Sequence, residues 1–320
     1  MEPKRVHFQK LSGHWVGKSI TIAAPRTWYG KGPDYGDSLE FILWDQVFGF
    51  LGLETYWLPL EMLSKDSKEF HDALLSAGSK SDLTILWPTP LSSWDFETLA
   101  RLRGQTRLAL MNSADPVQFQ QVACGWLPYV DYCLTTDPAT LPLYEAEKFS
   151  SVFLTQWAAN PFRYREGIHP RSYCWCFPGQ IYGIRGMLLE YLHHNLPGGA
   201  RVSQTPGDGF IRLMQASHIV MNFSGASGQT GGRQIKSRVF EPQLLGTVLC
   251  TEYAQGLEDY WDLQEEILCW YDVEECVEQT RQILRDEAKR RRLVQAAQRR
   301  AAEEHTWVHR FHDFFRAIWS

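Results

Sequence analysis

Short apolar runs alternate with amphipathic stretches along the chain. Ser19 to Ala24 (SITIAA) is an uncharged, mainly apolar run too short for a helix, so it reads as a strand. A loop rich in glycine and aromatics follows, Pro25 to Gly36 (PRTWYGKGPDYG). From Asp37 the period changes. Leu39, Ile42, Leu43, Gln46, Val47, Phe50 and Leu51 recur at helical spacing with Gln46 the one polar member, which predicts a helix capped by Asp37 or Ser38. Strands at Glu54 to Leu60 and Asp82 to Trp87 then alternate with helices at Lys68 to Ala77 and Trp94 to Arg103. Further strands are expected at Arg107 to Met111, Tyr132 to Thr135 and Ser151 to Gln156.

An irregular run with two prolines, Trp157 to Arg171, separates this half from a second one of the same kind. Strands are expected at Tyr173 to Phe177, Arg201 to Gln204, His218 to Asn222, Thr247 to Thr251 and Ile267 to Tyr271. Helices are expected at Ile184 to His194 and Phe210 to Ala216, and a helix opens near Lys236 and ends at Gly246. The chain closes in helices, the last with an aromatic stripe of Trp307, Phe311, Phe314, Phe315 and Ile318. Alternating strands and helices predict an α/β fold with parallel sheets covered on both faces. The expected division is 1–165, 166–302 and a terminal helix at 303–320.

Composition narrows the class. A chain of 320 residues is long enough for two domains, and 44% hydrophobic content suits a packed core in each. A net charge of −5 argues against a dedicated nucleic-acid binder. No run approaches the ~18 apolar residues of a membrane span, and MEPKRVHFQKLSGHW lacks the apolar core of a signal peptide. The seven cysteines lack C-x-x-C spacing and read as reduced, mostly buried thiols, which points to the cytoplasm.

The chemistry concentrates in Lys236 to Glu252 (KSRVFEPQLLGTVLCTE). A helix N-terminus offers free N–H groups, and Lys236 and Arg238 place full positive charge beside them, a natural seat for a diphosphate. Glu241, one turn on, is a carboxylate able to accept from vicinal hydroxyls. Diphosphate and diol together describe a nucleotide sugar. The Ser/Gly stretch just before (SGASGQTGG, with Gly225, Gly228, Gly231 and Gly232) permits close backbone approach to a ligand. The loop with Gly30, Lys31, Gly32, Tyr35 and Gly36 has the same strand–Gly–helix setting and is not a P-loop. Asp37, Asp115 and His14 are candidate bases should one be needed. No D-x-D stands at a strand end.

The stretch Arg238 to Gly246 (RVFEPQLLG), with Thr251-Glu252, Gly256-Leu257-Glu258 and His305-Thr306, resembles the C-terminal domain of CgeB-type (spore-maturation-like) glycosyltransferases, of the glycosyl transferases group 1 kind. The resemblance runs from about Ser172 to Phe315. It implies a GT-B fold: two Rossmann-like domains facing a cleft, the second holding the nucleotide sugar, the first the acceptor, and the final helix crossing back to the first. It implies that Glu241 grips the ribose hydroxyls and that Arg185, after Phe177-Pro178-Gly179, joins Lys236 and Arg238 at the diphosphate. Gly179, Gly225, Gly231, Gly232, Arg233, Ser237 and Phe240 complete the expected donor contacts, and His305 is expected to seat the C-terminal helices. Arg233 stands where retaining enzymes of the glycogen-synthase-like class carry a second glutamate, a departure in this chain. The implied reaction is hexosyl transfer from a nucleoside-diphosphate sugar, UDP being the commonest base, with retention, no metal and no cofactor. The acceptor is left open among glycan, lipid-linked sugar, protein and small molecule. Peripheral contact with the inner membrane face would fall to the cationic face of Lys289 to Arg292, Arg299 and Arg300. A GT-B-shaped binding protein without transfer activity, and a nucleotide-sugar hydrolase or epimerase, are the alternatives.

Overall fold

The computed structural model describes residues 5–113, 118–167, 170–201, 208–225 and 232–320. The chain forms two compact units, one of Gln9–Gln156 with Val308–Ser320, the other of Met1–Phe8 with Trp157–Trp307. They are called the first and second unit below.

The first unit is built on a six-stranded parallel sheet. Its strands are β1 (Ser19–Ala24), β2 (Glu54–Pro59), β3 (Leu83–Leu86), β4 (Arg107–Asn112), β5 (Tyr132–Thr135) and β6 (Val152–Leu154), in the order β2-β1-β3-β4-β5-β6. In register, Ser19 lies against Glu54 and Ile20 against Leu83, so β1 is central. Five of its six residues are buried, which is why it carries no charged side chain. Asp66 and Asp95 start two of the covering helices by accepting from the amides of Glu69 and of Glu97 and Thr98.

The helix expected over 39–51 is broken in two, Leu39–Trp44 and Val47–Phe50. Gln46, the polar member of the stripe, takes a left-handed φ of 65° between them. Ser38 caps the first piece, accepting from the Phe41 amide at 3.0 Å, whereas Asp37 forms an ion pair with Arg26.

The terminal helix, Trp307–Trp319, places Phe311, Phe314, Phe315 and Ile318 of its aromatic stripe in the first unit, while Trp307 belongs to the second. Phe311 lies 4.5 Å from Phe48 and 5.5 Å from Trp44, and Phe314 lies 5.1 Å from Phe153. Arg107 Nη1 donates to the Ile318 carbonyl at 2.6 Å.

The second unit holds a five-stranded parallel sheet of β7 (Tyr173–Phe177), β8 (Gly199–Arg201), β9 (Ser217–Asn222), β10 (Val248–Glu252) and β11 (Leu268–Trp270), in the order β11-β10-β9-β7-β8. The strand expected at 201–204 is described only as Gly199–Arg201, because 202–207 lie outside the described residues. The helix expected from Lys236 to Gly246 is instead a 3-10 turn, Ser237–Val239, followed by one α-turn, Glu241–Leu244. Pro242 explains the split, since it has no N–H to donate to the Arg238 carbonyl.

Arg171 locks this sheet at the end where β9 begins. Its guanidinium donates to the carbonyls of Gln215, Ser217, Leu245 and Gly246 and to the Thr247 hydroxyl, at 2.6 to 3.1 Å. His305 is buried, its Nε2 2.9 Å from the Tyr260 carbonyl and its ring 4.9 Å from Trp261. All seven cysteines are free thiols. Among the described residues no helix is long and apolar enough to cross a membrane. The cationic face expected near 289–300 is partly consumed within the molecule. Arg300 pairs with Glu266, Arg291 pairs with Glu287, and Arg290 donates to the Ile283 carbonyl.

Phe311→Ala is expected to cost about 3–5 kcal/mol, the range for deleting a fully buried aromatic ring. Urea unfolding of the variant against wild type measures it, and a cost near zero would show that the terminal helix does not carry the packing described.

Candidate functional site

In each sheet the chain order reverses once, and the loops leaving the two adjacent strands part there, opening a crevice beyond their carboxyl ends. In the second unit the reversal lies between β7 and β9. The segment after β7 supplies Gly179 and Arg185, and the segment after β9 supplies Phe223 to Gly225. Lys236 and Arg238 arrive from the 3-10 turn before β10.

Three cations meet at this edge. Arg185 is buried and donates to the carbonyls of Gln180 at 3.1 Å and Gly225 at 3.0 Å. Its guanidinium carbon sits 3.8 Å from the centre of the Tyr182 ring. Lys236 Nζ donates to the Phe223 carbonyl at 3.2 Å and to that of Gly225. Arg238 donates through Nε to Glu241 at 2.7 Å and through Nη1 to the Pro178 carbonyl. Burial lowers the Lys236 ammonium to about 7, with Arg185 the foremost charged contributor in the same direction. Burial likewise holds Arg185 below its ordinary value.

Glu241 has no exposed surface. One carboxylate oxygen takes the Arg238 bond and the other, Oε1, is buried without a partner. The buried Tyr164 phenol stands by this carboxylate, and burial with that neighbour raises it well above its ordinary value. Arg233 makes an ion pair with Glu252 at 3.0 Å. The other Glu252 oxygen accepts from the amide and hydroxyl of Ser224, at 2.9 and 2.8 Å. Glu252 thus organises the start of the Ser/Gly loop, a role that its place in a sequence signature did not disclose.

The remaining donor-side residues are dispersed. Phe240 is fully buried, its ring against Tyr260, Trp261 and His305. Ser237 opens the 3-10 turn, half-buried. Gly179 is pressed against Phe177, whose ring would lie 2.8 Å from an added Cβ. Gly225 serves through its carbonyl, Gly232 is half-buried, and Gly231 and Gly228 lie outside the described residues. Among the described residues no group of three or more His, Cys, Asp or Glu is placed to hold a metal.

The first unit has its reversal between β1 and β3, and a cavity of about 580 Å³ opens there. Its lining comes from the segments after β1 (Pro25, Trp28), β2 (Leu60, Glu61) and β3 (Thr89, Pro90). Of the expected loop residues, Gly30 lines it. Gly30, Gly32 and Gly36 have φ of 69°, 105° and 79°, which let the loop double back so that the Trp28 amide reaches the Gly36 carbonyl at 3.0 Å. Tyr35 is exposed, with the Lys31 ammonium 5.5 Å from its ring centre. Asp37 is held by Arg26. Asp115 lies outside the described residues. His14 precedes β1, at the sheet end opposite the cavity, with its ring 4.5 Å from His312. Glu40 and Glu61, both lining the cavity, escaped the sequence reading: Glu40 falls beside the apolar stripe and Glu61 just past a strand.

Residues 162–316 match the family described as "Glycosyl transferase-like". No curated protein matches the sequence. Among solved structures, the chain is similar to an alpha-glucosyltransferase in complex with UDP-glucose and DNA containing an abasic site, with TM-score 0.66 and 11% identity over 94% of this chain and 99% of that one. It is similar to the sucrose-phosphate synthase of Thermosynechococcus elongatus, with TM-score 0.62 and 14% identity over 94% and 99%. It is similar also to Anabaena HepE in complex with UDP and glucose, with TM-score 0.58 and 10% identity over 94% and 99%. At these identities the likeness concerns the fold.

Two outcomes follow from the charges. Arg238→Met strands the buried Glu241 carboxylate and is expected to cost about 3–5 kcal/mol in urea unfolding, more than Glu241→Gln. Lys236 is held at about 7 when folded, below the ordinary 10.5, so between those values the unfolded chain binds more protons. Wild-type stability should therefore rise with pH across that window relative to Lys236→Met; parallel stability curves would contradict the buried ammonium. The chain has the GT-B fold of these glycosyltransferase structures, and residues 162–316 match the glycosyl transferase-like family.

Proposed function

We propose that the protein is a CgeB-type enzyme that transfers a hexosyl group from UDP-sugar to an acceptor hydroxyl, with retention and without a metal ion. The observation that carries this is the convergence of Arg185, Lys236 and Arg238 at the strand reversal of the second unit. Among the described residues neither Arg185 nor Lys236 is ion-paired; their partners are carbonyl oxygens. Partly desolvated cations whose hydrogen bonds go to carbonyls favour an anion with several oxygens, and a diphosphate suits them.

In transfer, the acceptor oxygen bonds to the anomeric carbon while the bond from that carbon to the phosphate oxygen breaks. The three cations stabilise the charge that gathers on the departing nucleoside diphosphate, the contribution a divalent ion makes elsewhere. The acceptor proton passes to the departing phosphate oxygen. The carboxylates beside the cations support this route over a side-chain base, since Glu252 is engaged by Arg233 and Ser224 and Glu241 by Arg238. The unpartnered Glu241 Oε1 suits a ribose hydroxyl once the surrounding side chains draw back. UDP is proposed because similar structures were solved with UDP or UDP-glucose. The acceptor is assigned to the first unit. A cytoplasmic setting is supported by the unbridged thiols, with Cys250 and Cys276 sulfurs 3.7 Å apart, and peripheral membrane contact by the exposed Lys289, Arg292 and Arg299.

Thermal shift against UDP, GDP, dTDP, ADP and CMP tests the donor. At ~100-fold excess over Kd, a ligand selective for the folded state adds about 2.7 kcal/mol. UDP should give that shift in wild type and much less in Lys236→Met; no shift from any nucleotide would sink the reading. Because a diphosphate raises the Lys236 value from about 7, binding should take up a proton and weaken as pH rises above 7. Titration calorimetry in two buffers of different ionisation enthalpy measures that uptake.

A further inference from the structure

The cavity of the first unit is mainly apolar, walled by Pro25, Trp28, Leu39, Leu60, Leu63 and Pro90. Two carboxylates break the lining, and they are differently engaged. Glu61 Oε1 accepts from the amides of Arg26 and Thr27, at 2.9 and 2.6 Å, and from the Thr27 hydroxyl at 2.8 Å. It fastens the loop after β1. Glu40 stands in the first turn of Leu39–Trp44, with the Ser38 hydroxyl and its own amide as polar neighbours. Burial raises its carboxyl above the ordinary value, and the Glu61 charge adds to the rise.

Size and charge narrow the occupant. About 580 Å³ lies within the 300–1,000 Å³ range of small-molecule pockets. A nucleic acid would require cations for its phosphates, whereas the lining offers two carboxylates against Lys65. A long glycan would require an extended polar groove, whereas this lining is chiefly apolar. A drug-sized body enclosed by Trp28, the leucines and the prolines, with one hydrogen-bond donor turned to a carboxylate, fits all three.

Resting on the glycosyl-transfer reading above, we propose that this cavity is the acceptor pocket and that it takes a small, largely apolar molecule whose hydroxyl or amino group donates to Glu40. Glu40 is then a positioning and specificity residue: it turns the acceptor's polar end to a fixed place, and the apolar walls hold the rest.

The test is equilibrium binding of 4-methylumbelliferone to the whole protein, followed by fluorescence, with UDP binding measured on the same samples. Wild type should bind the probe saturably. Glu40→Leu and the cavity-filling Leu63→Trp should each weaken it at least ten-fold while UDP affinity stays within two-fold. Ser93→Trp, at the exposed rim, should weaken it likewise without disturbing the core. Equal probe affinity in all three variants overturns the pocket, as does maltotetraose or a DNA 13-mer binding in place of the probe and lost in these variants. Wild type that binds UDP but not the probe overturns the pocket alone. Wild type that binds the probe but none of the nucleotides overturns the donor reading, and with it the name acceptor for this site.

Discussion

Where the order of a parallel sheet reverses, two neighbouring strands send their chains to opposite faces, and nothing fills the gap between the departing loops. Each unit obeys this constraint once, and each places its unusual chemistry there. In the second unit the gap gathers Arg185, Lys236 and Arg238 around the carbonyls of Pro178, Phe223 and Gly225. In the first it leaves a cavity between the segments after β1, β2 and β3. The two sites use one backbone geometry with opposite electrostatics, cationic in one unit and acidic within apolar walls in the other.

The cationic site depends on rigid backbone. Carbonyl oxygens carry only partial charge, so they orient a guanidinium or ammonium without neutralising it, and the charge stays available to an incoming anion. Such an arrangement costs desolvation, seen in the lowered value of Lys236. Arg171 uses the same kind of bonds for another end: five hydrogen bonds from one guanidinium tie the ends of three segments at the side of the sheet where β9 starts. Cations at both ends of one sheet differ in role because one set is saturated and the other is not.

Much of this was legible in the residues. Short, uncharged and mainly apolar runs marked β1 and β3, because a parallel strand covered on both faces has no charged side to show. The cluster Lys236, Arg238 and Glu241 was legible because its members lie within six positions. The breaks were harder to see. Gln46 reads as the one polar member of a helical stripe, yet it marks a left-handed turn between two helices. Pro242 was visible, and its missing N–H already forbade an unbroken helix through Arg238. Glu40 had no local mark: beside an apolar stripe a glutamate reads as solvated, and only the loop folding over it makes it a wall of a cavity. Arg171 sat in a stretch read as irregular, and its partners lie 44 to 76 positions away. Distance along the chain, not weakness of the interaction, hid it.

The exchange of chain ends between the units has a consequence for how the protein is made. The first unit receives its last covering helix from Val308–Ser320, and the second takes Met1–Phe8 from the opposite terminus. During synthesis the sheet of Gln9–Gln156 leaves the ribosome with the apolar surface around Trp44, Phe48 and Phe153 uncovered. It stays so until the entire second unit has been translated. No single cut in the chain releases either unit whole.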